Sequence, residues 1–215
     1  MTCSDRLKNS NFMKRLAPIL VLIMASIPVS TPGAQKPPAP LKPGLYAVFD
    51  TSEGIIKAEL YQKYVPIAVA NFVGLAEGTK PWRDAKTGKF VRRPMYNGLT
   101  FHRVIREEMI QTGDPTGTSA HDCGITIRDE FLPGLKFDRA GRLAVANSGT
   151  PDSGACQFFF TEQAVPRWNN AYTIFGQVIE GQDVIHLINR KPLIGEHPAV
   201  PVILNSVTIL RVAKQ

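Results

Sequence analysis

The sequence predicts a mainly β domain, a closed antiparallel barrel capped by two helices. Three observations lead there: short β-rich runs recur along the chain, only two segments carry helical spacing, and closing the sheet removes the edges that many short strands would expose. The chain has 215 residues, 44% hydrophobic and 20% charged. That suffices for one core and is a tight fit for two domains.

Residues 1–34 differ from the rest. Arg6, Lys8, Lys14 and Arg15 precede the apolar run Leu16 to Ile27, and Pro28-Val29-Ser30-Thr31-Pro32-Gly33-Ala34 follows. This is the layout of a signal peptide, with cleavage expected after Gly33 or Ala34. No cysteine stands just after the run, which argues against lipoprotein processing, and Met13-Lys14-Arg15 also makes a conventional start. The run is about a dozen residues against the roughly 20 that span a bilayer. Left uncut it would anchor the chain to a membrane; once cut, no stable membrane partner is expected. The expected location is therefore exported, periplasmic or otherwise extracytoplasmic. Removing residues 1–34, which hold those four basic residues and Asp5, takes the net charge from +7 to +4. The remaining basic residues form no run with interleaved aromatics, which argues against a nucleic-acid partner.

Residues 35–44 are too proline-rich for helix or ladder and read as an extended linker, so the folded domain is expected over 45–215. Tyr46–Asp50 and Ile55–Tyr61 flank Thr51-Ser52-Glu53-Gly54. The second run alternates Ile56, Ala58 and Leu60 against Lys57 and Glu59, which predicts a hairpin with one wet face. Pro66 suits a first helical turn; Val69, Phe72, Val73 and Ala76 follow at helical spacing until Gly78 stops it. A second helix is expected over Gln182–Asn189, burying Val184, Leu187 and Ile188. Strands are expected at Thr100–Ile105, Met109–Thr112, Arg142–Ala146, Phe158–Thr161, Thr173–Val178 and Val202–Val212. The polar, basic stretch from Thr79 to Asn97 lacks periodicity and reads as a surface loop.

The chemistry concentrates in Phe101-His102-Arg103-Val104-Ile105, Met109-Ile110-Gln111-Thr112-Gly113-Asp114-Pro115, Ala146-Asn147, Gln157-Phe158-Phe159 and Tyr172-Thr173-Ile174-Phe175-Gly176. Together with Ala70-Asn71-Phe72, these motifs resemble the cyclophilins, in the family's order and over residues 45–213. The resemblance implies an eight-stranded closed barrel with two capping helices, peptidyl-prolyl cis/trans isomerase activity, proline-containing polypeptides as partners, no cofactor, and a monomer. It implies Arg103 as the catalytic donor with Gln111 holding it, and Phe101, Met109 and Phe159 as the floor of a proline pocket. Ala146 and Asn147 match the stretch that pairs with the residue before the proline, His102 shapes the site, and Tyr172 stands at the rim. Each of these residues has an ordinary alternative, core packing for the apolar ones and a surface ion pair for Arg103.

Three positions depart from the family pattern. Arg106-Glu107-Glu108 replaces a triplet ending in Phe, so a carboxylate stands where an apolar wall is usual. Arg167 takes the tryptophan position associated with cyclosporin binding, while Trp168 takes the leucine position lining the pocket; weak cyclosporin binding is expected. The loop Ser148–Cys156 is one residue longer than the commonest version. Cys3 falls in the leader, leaving Cys123 and Cys156, whose loops border the same groove in cyclophilins. A disulfide between them is expected, the alternative being two buried thiols. No metal is expected, because His121-Asp122-Cys123 lacks further ligands at suitable spacing. Ser153 has no nucleophile elbow, and Gly113 and Gly117 have no phosphate-loop continuation. Two readings besides catalysis stand: the same barrel as a binding module for proline-containing peptides, and an interaction protein acting through residues 79–97.

Overall fold

Polar and apolar residues alternate through Ile55–Leu60, and in the computed structural model, which describes residues 40–121 and 123–214, that alternation becomes a hairpin. Strand β1 (Gly44–Thr51) pairs with β2 (Gly54–Leu60), Thr51 opposite Gly54. Ile56, Ala58 and Leu60 are buried and Glu59 is exposed, as a half-wet strand requires. The expected signal peptide and residues 35–39 of the linker lie outside the described residues.

Pro66 opens helix α1 (Pro66–Glu77), where a missing N–H costs nothing. No local side chain caps the helix. Instead the carboxylate of distant Glu130 accepts from the N–H groups of Ile67 and Ala68 at 3.2 and 2.9 Å, satisfying two orphan donors at the positive end of the helix dipole. Gly78 ends α1 in the left-handed conformation, φ 74°.

The stretch 79–97 is not the plain surface loop expected. It carries a small hairpin, β3 (Trp82–Arg83) with β4 (Phe90–Val91), and buries Trp82, Met95 and Tyr96. An indole, a thioether and a phenol ring are too much apolar surface to leave in water while a core lies beneath, so the segment folds over the domain. Next come β5 (Leu99–Thr100), β6 (Arg103–Ile105), β7 (Met109–Thr112), β8 (Arg142–Val145), β9 (Phe158–Thr161) and β10 (Ile174–Glu180). Helix α2 (Gln182–Asn189), β11 (Leu193–Ile194), β12 (His197–Pro198) and β13 (Ile203–Val212) complete the chain. In α2 the buried stripe is Val184, Ile185 and Ile188, and Leu187, expected inside, is 49% exposed. At about 100° per residue, Leu187 falls on the flank of that stripe.

Nine strands form one curled sheet in the order β5-β13-β1-β2-β10-β8-β9-β7-β6. The sheet is open, which corrects the closed eight-stranded barrel. Its two edges, β5 and β6, are consecutive in the chain and separated only by Phe101 and His102. Residues that carry the chain from one edge to the other cannot also form a ladder between them. The gap is bridged singly: the Phe101 N–H donates to the Val202 carbonyl at 2.9 Å, and Thr112 Oγ1 to the Thr100 carbonyl at 2.8 Å. The inside of the curl holds the main core, where Phe49, Phe72, Phe158, Phe160 and Phe175 meet at ring distances such as 4.9 Å for Phe49 and Phe160. These rings account for much of the apolar area removed from water.

Gly78 shows how tightly α1 is joined to this framework, since a Cβ there would lie 2.4 Å from the Arg93 carbonyl carbon. Gly78→Ala is expected to cost about 2–3 kcal/mol, through left-handed strain plus displacement of that backbone. A lowered urea midpoint with an unchanged slope is the measurement that checks it.

Candidate active site

Strands β6 to β9 read as nearly unbroken apolar runs because both of their faces are covered. Ile110, Leu143, Val145, Phe158 and Phe160 point into the main core, whereas Met109, Ala144 and Phe159 belong to a second apolar cluster on the other face. Register decides what stands there. Arg103 is opposite Gln111, Gln111 opposite Phe159, and Phe159 opposite Ala144. One row across four strands thus carries a guanidinium, an amide, an aromatic ring and a methyl group, all on the same face.

Arg103 Nη1 donates to Gln111 Oε1 at 3.4 Å, and Arg103 Nε to Glu196 Oε2 at 2.6 Å. Gln111 Nε2 in turn donates to Gln157 Oε1 at 2.8 Å, and Gln157 Nε2 to the Ser119 carbonyl at 3.2 Å. Arg103, Gln111, Gln157 and Ser119 line a cleft of about 540 Å³ together with Ala146 and Asn147. Asn147 is itself held by its Nδ2 donating to the Ala171 carbonyl at 2.8 Å. A larger groove of about 760 Å³, between α1, the start of β1 and the ends of β2 and β13, contains none of these groups.

Beside the cleft, Phe137 and Phe159 stack with ring centroids 5.9 Å apart, and Trp168 and Tyr172 meet them edge to face, 5.4 and 5.3 Å from Phe159. Met109 and Ala146 pack into the same cluster. Its centre, Phe137, was not singled out by sequence. Buried Arg142 fixes the loop that carries it, donating from Nε to the Lys136 carbonyl at 2.9 Å and from Nη2 to Asp138 at 2.7 Å. Asn169 Oδ1 accepts from the Phe137 N–H at 2.8 Å. Met109 and Phe159 are only 2% and 3% exposed, and Trp168 and Tyr172 both pack against the Phe159 ring.

Phe101 and His102 are placed differently from expectation. An unbroken strand would set Phe101 on the face of Arg103, but the strand is interrupted at 101–102 and both residues turn inward. Phe101 packs in the main core against Phe160, rings 6.5 Å apart, and does not reach the second cluster. His102 is 3% exposed, and neither ring nitrogen has a hydrogen-bond partner among the described residues. Burial lowers its pKa, which favours the neutral imidazole.

The two substituted wall positions meet each other. Glu108, in the turn before β7, forms an ion pair with Arg167 in the short helix Pro166–Trp168, and the Arg167 guanidinium lies 5.3 Å from the centroid of the Trp168 ring. Glu108 therefore pairs with neither Arg103 nor Arg106; Arg106 donates instead to the carbonyls of Asn189 and Lys191. A disulfide joins Cys123 and Cys156, both buried, with Cα atoms 6.5 Å apart. It closes a loop of 33 residues' separation, which chain entropy values at about 3–4 kcal/mol. Asp122, in the triplet set aside as a metal site, lies outside the described residues.

Gln157 stood in a quoted motif without a role of its own, and Glu196 was missed. Gln157 had a signal, its place directly before Phe158-Phe159; Glu196, in an irregular stretch after α2, had none.

A family model described as cyclophilin type peptidyl-prolyl cis-trans isomerase/CLD matches residues 46–211. The chain belongs to the cyclophilins. It is 43% identical over 166 residues to peptidyl-prolyl cis-trans isomerase A of Mycobacterium tuberculosis, covering 76% of this chain and 91% of that one. A cyclophilin-type isomerase of Cryptosporidium parvum matches this cyclophilin in structure with TM-score 0.66 and 30% identity, over 77% of this chain and 96% of that one. The same protein in the presence of the dipeptide Ala-Pro matches with TM-score 0.65 and 29% identity, over 79% and 99% of the two chains. This cyclophilin is thus a peptidyl-prolyl cis-trans isomerase, on a mainly β fold with two helices.

The Glu108–Arg167 pair stands where the family resemblance leads one to expect an apolar wall. Glu108→Phe combined with Arg167→Trp is expected to tighten cyclosporin binding at least tenfold over the unmodified cyclophilin in a calorimetric titration. Either change alone is expected to gain less, because it leaves one charge unpaired beside an apolar surface.

Proposed function

We propose that this cyclophilin accelerates rotation about X-Pro bonds of exported proteins as they fold, with Arg103 donating a hydrogen bond to the prolyl nitrogen. Amide resonance makes the rotation cost roughly 18–20 kcal/mol. No bond is broken; the enzyme has only to favour the twisted amide, in which the prolyl nitrogen is pyramidal and its lone pair accepts a hydrogen bond. A guanidinium placed there stabilises the twisted state more than either planar isomer. The observation that carries the reading is the row Arg103–Gln111–Phe159: a fixed donor beside an aromatic surface suited to a prolyl ring. The cyclophilin of known structure studied with Ala-Pro supports a proline-containing peptide as the occupant.

In the closed aromatic cluster the prolyl ring reaches Phe159 and Met109 as the half-buried Trp168 turns aside, while Ala146 and Asn147 take the residue before proline. Export is supported by the layout of residues 1–34 and by the disulfide, which persists in oxidising compartments. The domain from Leu45 acts as a monomer without a cofactor, and the chain is held to a membrane only if residues 1–34 are retained.

Exchange of an X-Pro peptide followed by NMR tests the donor role. Arg103→Ala is expected to lose about 10²-fold of the acceleration with its fold intact, the scale of removing one preorganised donor. If neither the full chain nor the variant accelerates exchange while both bind peptide, the binding-module reading replaces this one.

Tryptophan emission tests the opening. Of the two tryptophans, Trp82 is buried away from the site, so titration with a proline-containing peptide is expected to shift the emission of Trp168. Trp168→Phe is expected to abolish the change, and an unchanged spectrum in the unmodified chain at saturating peptide would rule the opening out.

A further inference from the structure

Three consecutive residues of the edge strand β6 region are met by two consecutive residues of the β11–β12 hairpin, Glu196 in its turn and His197 at the start of β12. His197 Nδ1 donates to the His102 carbonyl at 2.5 Å, and the Val104 N–H donates to the Glu196 carbonyl at 2.7 Å. Between those two bonds, the Glu196 carboxylate accepts from Arg103 Nε at 2.6 Å. The flanking bonds, both to the backbone of the edge strand, fix the spacing of turn and strand. The side-chain bond uses that spacing to aim the guanidinium.

We propose that Glu196 is a positioning residue for isomerisation, holding the Arg103 guanidinium so that Nη2 is presented to the cleft. This rests on the donor role proposed for Arg103. An arginine side chain carries about 2 kcal/mol of rotamer entropy, and the bond to Gln111, at 3.4 Å, is a long one. With Nε and Nη1 both engaged, the plane of the guanidinium is set from two sides. Nη2 makes no hydrogen bond among the described residues, so it is the nitrogen left to serve the substrate. Arg103 and Glu196 side chains are 37% and 53% exposed, so solvent screens their Coulomb attraction. What the pair supplies is direction, and a neutral acceptor of the same length can supply it too.

The test compares the full chain with Glu196→Ala and Glu196→Gln, each also on an Arg103→Ala background, by NMR exchange of an X-Pro peptide. Glu196→Ala keeps the backbone bond to Val104 and is expected to lower kcat/KM about tenfold, mainly through kcat. That is less than the ~10²-fold a 1 Å misplacement can cost, because Gln111 remains. Glu196→Gln is expected to retain most of the activity, since its Oε1 still accepts from Nε. On the Arg103→Ala background, Glu196→Ala is expected to remove nothing further. The proposal is overturned if Glu196→Ala is as fast as the unmodified chain, if Glu196→Gln is as slow as Glu196→Ala, or if the loss persists without Arg103. Should Glu196→Ala melt below the assay temperature, Glu196→Met, of similar reach but without an oxygen acceptor, takes its place. Failure of the underlying reading looks different: Arg103→Ala alone would then keep its activity.

Discussion

The antiparallel register of β6, β7, β9 and β8 is the constraint on which the rest of this cyclophilin depends. A side-chain period of two means that a slip of one residue would send Arg103, Gln111 and Phe159 into the core and bring Val104, Ile110 and Phe160 to the cleft. The core itself prevents this. Phe158 and Phe160 are locked against Phe49, Phe72 and Phe101 on the inner face, so the aromatic packing that stabilises the fold also fixes which residues face the substrate.

The edges of the sheet are the second element. Because β5 and β6 follow one another in the chain, the curl stays open, and Phe101 and His102 join its edges rather than pairing across them. That geometry leaves the outer side of β6 unpaired, a liability for any edge strand. The β11–β12 hairpin covers it with Glu196 and His197, so the device that protects the edge is also the one that touches the arginine. On the opposite border of the site, Arg142 and Asn169 hold Phe137 in place, and the aromatic cluster is built around it.

Two departures from the family pattern, Glu108 and Arg167, are one feature in space. Separated by 59 positions in sequence, they form an ion pair across the rim, with Arg167 also near the face of Trp168. The Glu108 carboxylate raises the Arg167 pKa, as expected for a pair that stabilises the charged form. The rim is polar at this point, while the cluster beside it is aromatic.

Local pattern was sufficient for the hairpin at 46–61, the start of α1 at Pro66 and its stop at Gly78, and for β7 and β9, because alternation, proline and glycine act within a few residues. The cyclophilin motifs likewise named Arg103, Gln111, Phe159 and Asn147 without any geometry. What the sequence left open depends on residues far apart in the chain. The inward turn of Phe101 follows from an interrupted edge, which no periodicity reports. The folding of residues 79–97 onto the domain follows from a surface that only the finished core provides. Gln111 reaches Gln157 across 46 positions and Arg103 reaches Glu196 across 93. Composition and short-range spacing therefore determined the strands and the chemistry present, whereas sheet register and edge covering, both long-range, decided which groups meet and which way they point.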